Sequence, residues 1–126
     1  MKFSTKAEYG LRAMVNLASA FPGVKNVKEI SEEEGISLKY LERLVGVLRK
    51  NKLIKSFKGK QGGYVLVRKP ESIKVGEIIE ILEGPIAPTK CESCCIENKC
   101  SSSFVWIKLG KEIKKTLDGI RLSNLM

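Results

Sequence analysis

Histidine does not occur in this 126-residue chain, tryptophan occurs once, and no apolar run is long enough to span a bilayer. Without histidine there is no imidazole to serve as a general base near neutral pH, and the commonest nitrogen ligand for a metal is missing. There is also no phosphate-cradling glycine loop of the Walker type and no paired acids at a plausible site, so an enzyme is a poor fit. The opening residues Met1-Lys2-Phe3-Ser4-Thr5-Lys6 carry no signal-peptide apolar core. With no membrane span either, the expected location is the cytoplasm. Acidic residues are lacking in one place in particular. From Arg49 to Lys60 the chain has Arg49, Lys50, Lys52, Lys55, Lys58 and Lys60 and not one acid.

That gap belongs to a wider asymmetry. The formal net charge is +9, and residues 1–69 hold 15 Lys and Arg against 6 Glu, whereas residues 70–126 hold 8 of each sign. A solvated face normally mixes signs, so a one-signed stretch points to a polyanion partner. Double-stranded DNA is the expected one. RNA is the alternative, distinguished by whether salt-dependent binding favours a palindromic duplex or single strands and hairpins.

What the chain does have is four cysteines within ten residues: Cys91, Cys94, Cys95 and Cys100. They are its only cysteines, and core packing would have scattered them. In a reducing compartment, such a cluster suggests a metal, an iron–sulfur cluster or a thiol switch rather than a structural disulfide. With no histidine available, any metal is held by sulfur, with or without a carboxylate. A zinc site ordinarily uses paired knuckles separated by a longer loop. Cys91-x-x-Cys94 has the spacing of a thioredoxin-like redox pair, but no βαβ unit surrounds it.

The rest of the chain reads as one α-rich domain with a small hairpin. Thr5-Lys6-Ala7-Glu8 has capping-box form and opens a helix with Ala7, Leu11, Met14, Leu17, Ala18 and Phe21 on one face. Asn26 caps a short helix, Gly35 supplies a turn, and Ser37 caps a helix with the stripe Leu38, Leu41, Leu44, Val45 and Leu48. That helix shows Lys39, Tyr40, Glu42, Arg43, Gly46 and Lys50 on its other side, which is a helix-turn-helix pattern. Strand-like residues 53–57 and 64–68 flank the basic, glycine-rich tip 58–63, as in a wing. A helix with Val75, Ile78, Ile79 and Leu82 stops at Gly84-Pro85. The last helix begins near residues 101–103, with Trp106, Leu109, Ile113, Leu117 and Ile120 at steps of three or four. Its stripe is expected to pack on a second copy, because the first 83 residues already form a self-sufficient set. The expected fold is therefore mainly α with a small β-hairpin wing: a winged helix-turn-helix domain (1–84), a cysteine-rich loop (85–100), and a dimerisation helix with a tail (101–126).

The residues also match a known family. Ser4-Thr5-Lys6-Ala7-Glu8-Tyr9-Gly10-Leu11-Arg12-Ala13-Met14, Gly35-Ile36-Ser37-Leu38-Lys39-Tyr40-Leu41-Glu42 and Leu48-Arg49-Lys50-Asn51 occur in order with Gly59-Lys60-Gln61-Gly62-Gly63-Tyr64 and Val75-Gly76-Glu77-Ile78-Ile79, then Leu82-Glu83-Gly84-Pro85-Ile86-Ala87-Pro88. In that order and spacing the chain resembles the Rrf-two family of bacterial winged-helix transcription regulators over nearly its whole length. Its IscR-type branch is the one it is most similar to.

The resemblance implies a homodimer on a palindromic operator, with no small-molecule substrate. It also implies an iron–sulfur cluster, 2Fe–2S by preference with 4Fe–4S open. Cys100 and Trp106 keep the branch's six-residue interval, and Cys94 to Cys100 keeps the spacing of its second and third cysteines. The interval from Cys91 to Cys94 is shorter, and Cys95 is extra, so the resemblance leaves open whether Cys94, Cys95 or both are ligands. Where some relatives place a histidine this chain has Ser103. Glu8, matching an acidic ligand supplied by the partner in nitric-oxide sensors, and four-cysteine ligation are the two candidates for the fourth position. For DNA, Lys39, Tyr40, Glu42 and Arg43 are expected in the major groove, with Ser37 and Tyr40 also reaching phosphates. Lys58, Lys60 and Gln61 are expected on backbone or minor groove, and Arg49, Lys50 and Lys55 add electrostatic attraction.

Overall fold

The computed structural model describes residues 2–59, 62–88 and 102–126, and these form five α-helices, one two-stranded hairpin and two 3-10 turns. Helix α1 (Thr5–Ala20) is capped by Ser4 rather than Thr5. Ser4 has extended backbone, its side chain accepts from Ala7 N–H at 3.2 Å, and its carbonyl accepts from Glu8 N–H at 3.1 Å. Thr5 is therefore already the first helical residue, and the capping box expected with Glu8 is not made. Ser4 N–H in turn donates to the Glu83 carboxylate at 2.8 Å, tying the start of α1 to the end of a later helix.

Helix α2 (Val27–Glu34) starts at Asn26, whose side chain accepts from Glu29 N–H at 2.8 Å, and ends at Gly35 with φ +68°. That left-handed conformation turns the chain directly into α3 (Leu38–Lys50), capped by Ser37 accepting from Tyr40 N–H at 3.3 Å. Leu41, Leu44, Val45 and Leu48 are buried as the spacing predicts. Leu38 is the exception, 42% exposed in the first turn beyond the edge of the core.

The hairpin pairs β1 (Ile54–Phe57) with β2 (Gly63–Leu66), in register from Ile54 opposite Leu66 to Phe57 opposite Gly63. Leu53, Val67 and Arg68, expected in strands, lie just outside them. Lys25, in the α1–α2 connection, bridges to Tyr64 through bonds of 2.7 and 3.0 Å. Only glycine at position 63 permits this approach, because a Cβ there would stand 2.5 Å from the Lys25 carbonyl oxygen.

A 3-10 turn (Pro70–Ser72) leads into α4 (Val75–Glu83), which packs Ile78, Ile79 and Leu82 against α1. Helix α5 (Ser103–Asp118) rests on α4. Beyond it the chain is stitched back into the domain: Val75 N–H donates to Ile120 and Leu122 N–H to Ile73, both at 2.9 Å, and Leu122 is fully buried. The last 3-10 turn, Leu122–Leu125, thus completes a core that begins with Ala7.

Candidate nucleic-acid interface and cysteine loop

The helix-turn-helix follows from three local signals already described: the Asn26 cap, the left-handed Gly35 and the Ser37 cap. Together they fix α3 with its leucines inward, which turns Lys39, Glu42, Arg43, Gly46, Arg49 and Lys50 outward. Among the described residues, Lys39, Glu42, Arg43, Arg49 and Lys50 make no ion pair or side-chain hydrogen bond. Their donors and acceptors are thus unspent, as a surface that reads base edges and phosphates requires. The Ser37 hydroxyl spends its acceptor on the cap and keeps its proton available.

Tyr40 is placed differently from its neighbours. It is half-buried, and its ring meets Tyr9 of α1 edge-on, with centroids 5.9 Å apart and planes at 88°. Arg12 lies over the same Tyr9 ring at 5.4 Å and bonds the C-terminal end of α2 through Glu34. Tyr9 therefore braces α3 from behind, and Arg12 ties Tyr9 to the end of α2. Neither was singled out by sequence reasoning, because both lie off the buried stripe of α1. Asn16 adds to the brace, donating to Glu34 at 2.8 Å.

On the hairpin, Lys55 and Lys58 are exposed, with the Lys55 ammonium 5.7 Å from the centre of the exposed Phe57 ring. Lys60 and Gln61 lie outside the described residues. So do Cys91, Cys94, Cys95 and Cys100. Glu8 is described: it sits exposed in the first turn of α1, and its carboxylate has no partner among the described residues. With the capping role gone to Ser4, that carboxylate is unspent. No group of three or more metal-ligating side chains occurs among the described residues. None of their helices is long and apolar enough to cross a membrane.

A family profile, Rrf2, described as an iron-dependent transcriptional regulator, matches residues 3–126. The chain belongs to the Rrf2 family. Its members similar to this chain include the HTH-type transcriptional regulator CymR of Bacillus subtilis, 39% identical over 126 residues, covering 99% of this chain and 89% of that protein. Among solved structures, T. potens IscR superposes with a TM-score of 0.84 at 43% identity, covering 99% of this chain and 85% of that one. The oxidized form of Staphylococcus aureus CymR superposes at 0.78 and 39% identity, covering 97% and 93%. The Rrf2 relatives are named as transcriptional regulators, not enzymes, and the DNA-binding fold expected from the helix-turn-helix and wing is the one observed.

Proposed function

We propose that this Rrf2 protein is a homodimeric cytoplasmic regulator that binds a palindromic operator and senses iron–sulfur status, redox state or nitric oxide through its cysteines. The single observation that carries the DNA reading is the outer face of α3, where Lys39, Glu42 and Arg43 stand exposed and, among the described residues, unpaired. Lys39 and Arg43 donate to guanine or phosphate, and Glu42 accepts from cytosine while repelling phosphate. Lys55, Lys58, Lys60 and Gln61 extend the contact to backbone or minor groove, with Arg49, Lys50 and Ser37 on phosphates. The division into a reading domain (1–84), a cysteine loop (85–100) and a dimerising segment (101–126) goes with this proposal.

The donor chemistry of the chain suits an iron–sulfur cluster: four clustered thiols, no histidine, and the unspent Glu8 carboxylate. Cys91, Cys100 and one or both of Cys94 and Cys95 would hold it, with Glu8 of the partner subunit as the candidate for a remaining position. When bound, a 2Fe–2S or 4Fe–4S group supplies a redox-active, oxidant-sensitive centre. Protein purified without oxygen is expected to show visible absorption and iron and sulfide in equal amounts, and Cys100→Ala should lose them. Full colour and iron in Cys91→Ala and Cys100→Ala would reject the ligand assignment.

A second reading keeps the DNA-binding function and makes the cysteines a thiol–disulfide switch or a zinc site. The oxidized form of the S. aureus relative favours the switch, together with the Cys91-x-x-Cys94 spacing here. Protein that stays colourless after cluster reconstitution, yet changes DNA affinity reversibly with dithiothreitol, would establish the switch.

A further inference from the structure

Two acids stand one turn apart on α4, and each is tied to a different neighbour. Glu77 Oε2 accepts from Arg68 Nη2 at 2.7 Å, and Arg68 is the second residue after β2, at the root of the wing. Glu80 Oε1 accepts from Lys114 Nζ of α5 at 2.6 Å, and the same ammonium reaches Asp118 Oδ2 at 3.5 Å. Both principal contacts have the length of charge-assisted hydrogen bonds. The wing root and α5 are thus joined through a single face of α4.

The surroundings give these pairs something to position. Asn51, Lys52, Leu53, Arg68, Glu77, Glu80 and Ile81 line a cleft of about 650 Å³ between the end of α3, the wing root and α4. The Arg68–Glu77 pair spans this cleft, and Arg68 Nη1 also donates to the Ser72 carbonyl at 3.4 Å. The other end of the relay is close-packed: a Cβ on Gly76 would fall 1.9 Å from the Asp118 carboxylate, so the end of α5 sits tightly on α4. The charge states agree with the geometry. Partial burial alone would raise the Glu77 carboxyl, but the Arg68 hydrogen bond, the Lys74 N–H and the charges of Arg68 and Lys74 together hold it below its ordinary value. The hydrogen bond to Glu80, opposed by desolvation and helped by the charges of Glu80 and Asp118, raises Lys114.

We propose that Arg68–Glu77 and Glu80–Lys114 form a clasp across α4 that sets the angle of the wing from the position of α5, making all four positioning residues for DNA binding. The proposal rests on the reading that the wing contacts duplex DNA. All four side chains are more than a third exposed, so the clasp is a bias on the wing rather than a lock, and its effects are a few-fold.

Glu80→Gln tests it by sign. Losing an acid raises the net charge by one from +9, so electrostatics alone tightens binding to a mixed-sequence duplex. A clasp requires the opposite: about two- to fivefold weaker binding by fluorescence anisotropy of the full chain. Lys114→Arg, which keeps the donor and the charge, should bind as the wild type does. Amide exchange at Val65 in the hairpin should speed up in Glu80→Gln and not in Lys114→Arg. Glu80→Gln binding as tightly as wild type or tighter, in a folded protein, overturns the clasp. If Glu80→Gln unfolds, Lys114→Gln decides: unchanged hairpin exchange in that variant overturns it equally. Wild-type protein that fails to bind any duplex would overturn the DNA reading itself, and the clasp with it.

Discussion

Helices α3 and α5 carry the same kind of apolar stripe and meet different fates. In α3, Leu41, Leu44, Val45 and Leu48 are all at or below 1% exposure, enclosed by α1, α2, β1 and α4. In α5, Leu109 of the stripe is 41% exposed and Val105, one turn before it, 54%, because among the described residues α4 is the main element packed against the helix. Amphipathic spacing thus states which side of a helix is apolar, while the number of neighbouring elements decides whether that side is covered. Among the described residues, Val105 and Leu109 leave exposed apolar surface on α5 of the kind that a partner chain covers. The outward faces differ as well. That of α3 presents ionic side chains without partners among the described residues, while α5 uses Lys114 and Asp118 within the domain.

The sharpest way to break this comparison is to cut a leucine from each stripe. Leu44→Ala should cost about 2–5 kcal/mol of unfolding free energy, read by urea denaturation, because it opens a cavity in a closed core. Leu109→Lys should leave the unfolding free energy of the single chain within about 0.5 kcal/mol, since its site is already wet. Sedimentation should instead show that variant shifted from dimer to monomer. A dimer unaffected by Leu109→Lys would remove α5 from the proposed interface. A further effect, on specificity rather than stability, is expected on the outer face of α3. Glu42→Ala should broaden operator choice, changing discrimination at one base pair by about 1 kcal/mol, at the low end of a direct base contact. Unchanged operator preference in a selection from random duplexes would exclude Glu42 from base reading.

Much of this arrangement is legible in the sequence. The caps Asn26 and Ser37, the turn at Gly35, the inward leucines of α3 and the buried face of α4 all follow from short-range rules, in which a residue and its neighbours three or four positions away settle the outcome. The errors have the opposite character. Ser4 displaced Thr5 as the cap of α1, and its N–H is also bonded to Glu83, 79 residues away. Each strand has four residues where five were expected, with Leu53, Val67 and Arg68 outside them. Leu38 obeys the period of its helix yet stands outside the core, since periodicity carries no information about where the core ends.

The candidate site divides in the same way. Lys39, Glu42, Arg43 and Lys50 were legible as an outward polar and basic face, Arg49 as part of the basic run, and the cysteine loop by composition. Tyr9 and Arg12 behind Tyr40 were not, because an edge-on ring contact between two helices has no signature in either helix alone.

By itself, then, the sequence determined the helices, the turn between α2 and α3, the placement of surplus positive charge in residues 1–69, and the set of sulfur ligands available to a metal. These depend on residue type and spacing along the chain. Only the tertiary structure decided that Tyr40 is anchored to α1, that Leu122 closes the core, that α5 keeps part of its stripe in water, and that Glu77 and Glu80 link the wing root to α5. Each of these depends on which distant segments come within a few ångströms of one another, and short-range spacing along a single chain does not encode that.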